Sequence, residues 1–202
     1  MQDEMDILKE VGNIVAGNGS VALSGILDRK IMLGLPSMEV LSGQEKPKTI
    51  DLQKVGIAIF SKIVVGLRGE VIFLLDEKNA FKLLNLSCRV KDHEKQTGTF
   101  TEFGLSLIKE IGNIVLGSYL NALSLILKRM VVPSLPTLIS GVMENILTIS
   151  LSPYGKEEYT LLLEVKFDEP QENISGSFYL ILTPEAVWDI KETCKKMLQS
   201  FE

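Results

Sequence analysis

The chain has 202 residues, of which 46% are hydrophobic and 23% charged, with a net charge of −5 at pH 7. This composition excludes a disordered chain and a basic nucleic-acid binder, so we expect no nucleic-acid partner. The length allows one domain with a substantial core. Because the N-terminus is acidic and no apolar run approaches the roughly 18 residues of a membrane span, we expect a cytoplasmic protein without signal peptide or membrane span.

Few residues are available for the commoner kinds of catalytic or metal site. The single histidine, His93, lies in a polar segment that is typical of an exposed loop. The two cysteines, Cys88 and Cys194, suit neither a disulfide framework nor a zinc motif, and we expect both to be small buried apolar side chains. No phosphate-binding G-x-x-x-x-G-K-[ST] loop is present. We therefore expect no metal or cofactor of the chain's own, and an active site of carboxylates, amides and hydroxyls.

The chain contains an internal repeat. At a constant offset of 100, residues 8–27 and 108–127 are identical at twelve of twenty positions. A second correspondence, at an offset of 107, relates residues 69–81 to residues 176–188. We therefore expect a single domain made of two repeats, at about 1–90 and 101–202.

Each repeat is predicted to contain elements in the order α-β-β-β-α. A long helix is expected at about 3–28 and again at about 102–128, because apolar residues such as Val11, Ile14 and Val15 recur on one side. Alternating and apolar runs predict the strands that follow. These runs are 37–42, 55–67 and 71–75 in the first repeat, and 137–142, 159–167 and 177–182 in the second.

A short helix is predicted to close each repeat. Asp76 and Thr183 stand at N-cap positions, and Pro184 suits the first helical position. Phe81 and Trp188 fall at matching places on these helices and are predicted to anchor them in the core. The element order predicts an α+β fold, with two long helices on an outer face of an antiparallel sheet. We expect the two units to pair with pseudo-two-fold symmetry, because one alone has little core.

A polar stripe follows each long helix, in residues spaced by four, three and four positions. On the first helix these residues lie within about 60° of arc: Asp6, Glu10, Asn13 and Gly17. The second helix repeats the stripe, as Ser106, Glu110, Asn113 and Gly117. A proline follows each asparagine by 23 residues, at Pro36 and Pro136. Residues on a solvent-exposed helix face can change freely in sequence. An acid, an amide and a glycine that are kept in both repeats therefore indicate a functional site.

This pattern, [Asp/Ser]-x3-Glu-x2-Asn-x22-Pro, resembles the signature of the CheC/CheX/FliY family of chemotaxis phosphatases. Every spacing is kept in both copies, and the resemblance extends over essentially the whole chain. CheX-like members carry one such motif, and FliY carries an additional C-terminal flagellar-switch domain. Two motifs without a following domain in this sequence favour the CheC branch of the family.

The resemblance implies a phosphatase that hydrolyses the phosphoaspartate of the response regulator CheY. By this analogy Asn13 and Asn113 hold the attacking water, and Glu10 and Glu110 pair with the regulator's active-site lysine. An acyl phosphate is already activated, so a positioned water suffices, and a carboxamide can both donate to and accept from that water. The Mg²⁺ would belong to CheY. Of the remaining motif residues, Gly17 and Gly117 would let the partner approach closely. The others would support the site: Asp6, Pro36, Ser106 and Pro136.

Other interpretations are open at this point. Residues 17–22 match the dinucleotide fingerprint G-x-G-x-x-[G/A], although helical periodicity precedes them. The resemblance also allows an adaptor that binds phosphorylated CheY or the receptor deamidase CheD without turnover, or a flagellar-switch-associated protein. An intact Glu–Asn pair in both repeats favours catalysis. Gly19, which weakens the first helix where Tyr119 stands on the second, predicts that Asn113 belongs to the stronger site.

Overall fold

The structure is a computed structural model that describes residues 2–42, 45–88, 100–151, 153–154 and 159–199. The predicted boundary between the repeats lies largely outside these residues, as do His93 and the side chain of Cys88. Cys194 is buried, as predicted, and burial raises the pKa of its thiol.

The first repeat forms α1 (Gln2–Leu27), β1 (Met32–Leu33), β2 (Ser37–Ser42), β3 (Val55–Val65), β4 (Gly69–Asp76) and α2 (Glu77–Cys88). The second forms α3 (Glu102–Leu127), β5 (Val132–Pro133), β6 (Thr137–Val142), α4 (Met143–Leu151), β7 (Tyr159–Glu169), β8 (Ile174–Leu182) and α5 (Pro184–Gln199). Every predicted helix and strand is present. The structure adds β1 and β5, which are two residues long and too short for a periodicity. It also adds α4, which has no counterpart among the described residues of the first repeat.

The strands of the described residues form one antiparallel sheet, in the order β1-β7-β8-β4-β3-β5, with β2 also on β7 and β6 also on β3. The predicted α+β fold is therefore confirmed. This order is unchanged when each strand is exchanged for its counterpart in the other repeat. The sheet thus has pseudo-two-fold symmetry about the central β4–β8 pair.

The two repeats are interleaved within the sheet. The first strands of each repeat cross to the long strand of the other repeat, so that β2 pairs with β7 and β6 pairs with β3. The long helices cross as well, because Gly12 of α1 packs on Leu163 of β7 and Gly112 of α3 packs on Ile59 of β3. An added Cβ would lie 2.4 Å from a Leu163 methyl at Gly12 and 2.7 Å from the Ile59 Cβ at Gly112. Glycine therefore lets both helices lie directly on the sheet.

The main core lies between the helices and one face of the sheet, and includes the fully buried Val15, Phe73 and Phe178. A smaller cluster on the opposite face packs under α4. Among the described residues, one helix, α3, is long and apolar enough to cross a membrane, and half of its apolar window is buried inside the molecule. Packing in the core accounts for this apolar composition.

The closing helices begin as predicted. The Asp76 carboxylate accepts a hydrogen bond from the Asn79 N–H at 2.7 Å, and the Thr183 hydroxyl accepts one from the Ala186 N–H at 3.4 Å. The predicted core position of Trp188 is wrong, since its side chain is 65% exposed. The ring of Phe100 stacks on Phe81, whereas no aromatic ring of the described residues stacks on Trp188.

Candidate functional site

The polar stripes of α1 and α3 lie on the outer side of their helices. The acid, amide and serine side chains of both stripes are exposed: Asp6, Glu10, Asn13, Ser106, Glu110 and Asn113. None of them forms a hydrogen bond or ion pair with another described residue. The two stripes therefore present carboxylate and amide groups that internal structure does not use.

The orientation of the stripes follows from what each helix buries on its other side. Leu8 and Val15 of α1 are at most 1% exposed, as are Ile108 and Val115 of α3. Burial of these side chains against the sheet fixes the rotation of both helices about their axes. Ile14, which was expected on the apolar side of the helix with Val11 and Val15, is 43% exposed.

Apolar side chains border both stripes, and sequence reasoning missed them as part of the surface. Ile114 is 46% exposed, much as Ile14 is, and each directly follows the motif asparagine. Phe103 is 66% exposed and lies two turns before Glu110, on the same side of α3. The isoleucines could have been found because they recur at the offset of 100. They make a partly apolar surface beside each Glu–Asn pair.

The stripe glycines differ from the packed glycines of the same helices. An added Cβ at Gly17 or Gly117 would meet nothing within 4 Å, apart from the helix itself. Internal packing therefore does not require glycine at these positions. A glycine on an open helix surface leaves room for the close approach of another molecule.

The motif prolines stand at turns that are held on the sheet. Pro36 and Pro136 are half-buried and directly precede β2 and β6. Two residues before each proline, a backbone N–H donates to the long strand of the other repeat: Gly34 to the Lys166 carbonyl at 2.8 Å and Ser134 to the Lys62 carbonyl at 2.7 Å. The adjacent Leu35 and Leu135 are 93% and 90% exposed, a feature that the repeated Leu-Pro dipeptide could have indicated.

The helices α1 and α3 contact each other next to the stripes. The Ser118 hydroxyl donates to the Asn18 carbonyl at 3.0 Å, and the fully buried Tyr119 ring packs near Gly19. Gly19 is thus part of a complementary contact between the helices. This packing counteracts the weakening of α1 that was expected from Gly19. That Asn113 belongs to the stronger site stays a prediction. The dinucleotide interpretation is wrong, because Gly17 and Gly19 lie inside the helix α1 and not in a turn that joins a strand to a helix.

The described residues contain no group of three or more histidine, cysteine, aspartate or glutamate side chains that could hold a metal ion.

The model of the CheC-like family matches residues 4–36 and 103–140, which contain both stripes and both motif prolines. Both matched segments of the chain therefore resemble the CheC-like family. The chain is 32% identical over 136 residues to the CheY-P phosphatase CheC of Bacillus subtilis (strain 168). The alignment covers 67% of the chain and 65% of the relative, slightly less than two thirds of that protein's length.

Solved structures share the fold at lower sequence identity. Thermotoga maritima FliY matches with a TM-score of 0.79 and 22% identity, over 97% of this chain and 98% of that one. The middle domain of FliM from H. pylori matches with a TM-score of 0.65 and 12% identity, over 96% and 99%. A chain of the CheX-CheY-BeF3-Mg²⁺ complex of Borrelia burgdorferi matches with a TM-score of 0.56 and 17% identity, over 84% and 96%. At these identities the likeness shows the fold alone.

Proposed function

We propose that this protein hydrolyses the phosphoaspartate of a CheY-type response regulator, with one site on α1 and one on α3. The observation that carries the proposal is the exposed Glu–Asn stripe, present twice, within both segments that match the family model. The name of the B. subtilis relative, a CheY-P phosphatase, supports the choice of substrate.

In each site the asparagine positions the attacking water and the glutamate docks the regulator. The side-chain amides of Asn13 and Asn113 offer both a donor and an acceptor, so each can orient a water without a change in protonation. Glu10 and Glu110 lie one turn earlier on the same face, where a cationic side chain of the regulator can pair with them. A phosphoryl group on an acyl oxygen needs little more than a positioned nucleophile and compensation of its charge.

The regulator supplies the rest of the site. The Mg²⁺ that compensates the charge of the phosphoryl oxygens is carried by the regulator. The reaction takes place in the cytoplasm.

Gly17 and Gly117 allow the regulator to approach the helix backbone, and Ile14 and Ile114 add apolar contact area beside the asparagines. Asp6, Ser106 and the two motif prolines support this arrangement.

The test is the release of inorganic phosphate from CheY that a small phosphodonor keeps phosphorylated. Each single variant, Asn13→Ala or Asn113→Ala, is expected to lose the share of the phosphatase rate that its own site contributes, and the double variant is expected to be inactive. If one site carries the rate, its alanine variant should be roughly 10- to 1000-fold slower, which corresponds to about 1.4–4 kcal/mol of transition-state stabilisation. Glu10→Ala and Glu110→Ala should weaken regulator binding as well as turnover.

Asn18→Ala is the matched control, because Asn18 is exposed on α1 but lies about 80° round the helix from Glu10. This variant should turn over phosphorylated CheY at the wild-type rate. If the double asparagine variant does the same, the catalytic assignment is wrong. An adaptor that binds phosphorylated CheY or CheD without turnover would then take its place.

A further inference from the structure

Two leucines project from the molecule directly before the motif prolines. Leu35 and Leu135 are 93% and 90% exposed, at equivalent places in the two repeats. Residues 28–36 and 128–136, which follow the long helices, are identical at only three of nine positions: an arginine, the leucine and the proline. A side chain this exposed buries little surface and so contributes little to folding. Because the leucine is nevertheless kept in both repeats, we expect it to contact another molecule.

The backbone around each leucine forms a bulge at the edge of the sheet. Residues 34–36 lie opposite only two residues of β7, because Leu33 pairs with Phe167 and Ser37 pairs with Glu164. The second repeat has the same bulge, with three residues opposite two of β3 between the β5 and β6 pairings. A bulge re-aims a side chain, and the proline that follows restricts the backbone of the leucine. Both leucines are therefore held in a defined place.

Leu35 lies on the side of the sheet that carries α1 and α3. An added Cβ at Gly34 would lie 3.7 Å from the Cβ of Lys166, so the two positions face the same side. Lys166 alternates along β7 with Val165 and Phe167, which belong to the core under these helices, and it therefore faces the opposite side. Leu35, the residue after Gly34, then faces the helices. Pseudo-two-fold symmetry gives the leucine of the second repeat the same orientation.

Along the helix, the bulge lies level with the stripe glycine. α1 runs in the same direction as β7, because β1, which follows α1, pairs with the end of β7. Gly12 packs on Leu163, and residues 165–166, opposite the bulge, lie about 7–10 Å further along the strand. At about 1.5 Å per residue, this distance is five or six residues of helix and reaches the level of Gly17. The projecting Leu35 therefore stands beside the bare helix surface that Gly17 leaves next to the Glu–Asn pair.

We propose that Leu35 and Leu135 are docking residues for the phosphorylated regulator, an inference that rests on the function proposed above. Each leucine enters an apolar depression of the regulator beside the phosphoaspartate, while the glutamate and asparagine of the adjacent stripe reach the charged groups. The bare glycine lets the regulator come close enough for both contacts. Burial of an exposed leucine stabilises the complex before and during the reaction alike, so it contributes to affinity and not to the chemical step.

The test compares the wild type with the Leu35→Ser/Leu135→Ser variant in the release of phosphate from CheY that a small phosphodonor keeps phosphorylated. With the CheY concentration varied, KM should rise at least about tenfold, the loss expected for one buried leucine, while kcat stays at the wild-type value. Binding of CheY that carries beryllofluoride in place of the phosphoryl group should weaken by the same factor. The Leu35→Met/Leu135→Met variant should keep the wild-type KM, because methionine retains the apolar contact.

Ile149→Ser is the matched control. Ile149 is 48% exposed on α4, which packs on the opposite face of the sheet. It is therefore an exposed apolar side chain far from both stripes, and its replacement should leave KM and affinity unchanged.

An active wild type beside a double serine variant with unchanged KM and affinity would overturn the leucine proposal alone. A wild type that neither binds nor dephosphorylates CheY would overturn the proposed function, and the leucine proposal with it. If the wild type binds CheY without turnover, the proposed function fails and the two measured affinities decide the leucine proposal. A lower mass in solution for the double serine variant would assign the leucines to a contact between copies of the chain and would also overturn it.

Discussion

At the scale of single residues, two buried carboxyl groups of the sheet differ in what surrounds them. Glu164 is 3% exposed and accepts hydrogen bonds from the Ser177 and Tyr179 hydroxyls at 2.8 and 2.7 Å. Glu70 is 1% exposed, and neither carboxylate oxygen has a hydrogen-bond partner among the described residues. Burial raises the pKa of Glu70 to about 7, although the charge of Lys62 on the neighbouring strand lowers it in part.

The Glu70→Gln variant is expected to become more stable relative to the wild type as the pH rises. Because the pKa of Glu70 is higher in the folded chain than its ordinary value, the folded state binds more protons between about pH 4.5 and 7. Over this range the free energy of unfolding of the wild type therefore falls with rising pH. The gain from Glu70→Gln should be up to about 3 kcal/mol larger at pH 8 than at pH 4. Urea unfolding of both proteins at the two pH values measures this difference.

Glu164→Gln is the matched control, because it alters a buried carboxylate that already accepts from three hydroxyl donors, those of Ser37, Ser177 and Tyr179. It should show no comparable gain at pH 8, since the substitution replaces charge-assisted hydrogen bonds. A pH-independent effect of Glu70→Gln would mean that this carboxyl titrates normally in the folded protein.

At the scale of elements, each long helix uses glycine for two different purposes. Gly12 and Gly112 lie against the sheet, where a methyl group would collide with Leu163 or Ile59. Gly117, five residues after Gly112 on α3, faces open space. The same residue type therefore brings the helix close to the sheet on one side and leaves a bare surface beside the Glu–Asn pair on the other.

Alanine substitutions at these two positions of α3 should have opposite effects. Gly112→Ala should lower the free energy of unfolding by about 1–3 kcal/mol, because the added methyl overpacks against the branched Ile59 side chain. Gly117→Ala should raise it by up to about 1 kcal/mol, because alanine favours the helix and meets no neighbour. Thermal unfolding of the two variants beside the wild type tests both signs. A stabilising Gly112→Ala would contradict the close packing of α3 on β3.

At the scale of the whole molecule, neither repeat completes a sheet alone. In the first repeat β2 lies on β7, and α1 packs on the same strand of the second repeat. The central β4–β8 pair also joins the two repeats. A single repeat would expose one face of α1 or α3 and would keep only one of the six strand pairings in which its strands take part.

A chain of residues 1–88 is therefore not expected to fold as a monomer, and the same holds for residues 100–202. Each alone should lack cooperative unfolding, as followed by circular dichroism and by the mass in solution. Mixing the two fragments should restore the antiparallel sheet and a cooperative transition. A folded monomer of either fragment would contradict the interleaved arrangement.

The sequence alone determined the elements and the candidate site to a large degree. Helical periodicity placed α1 and α3 to within a residue or two, and the duplication separated Glu10 and Asn13 from ordinary surface residues before any fold was known. These features are local, because a side chain's position on a helix depends only on spacing. The exposure of Trp188 was not predicted, since its helix has the same pattern as the one that carries Phe81.

Only the tertiary structure decided which strands meet. Because the two repeats are alike, β2 has an equally suitable pattern for pairing with β3 or with β7, and periodicity contains no information on the choice. The crossing of β2 to β7, and of α1 onto Leu163, is decided by burial across both repeats at once. The same long-range packing covers Phe81 with Phe100 and leaves Trp188 open, which local sequence could not reveal.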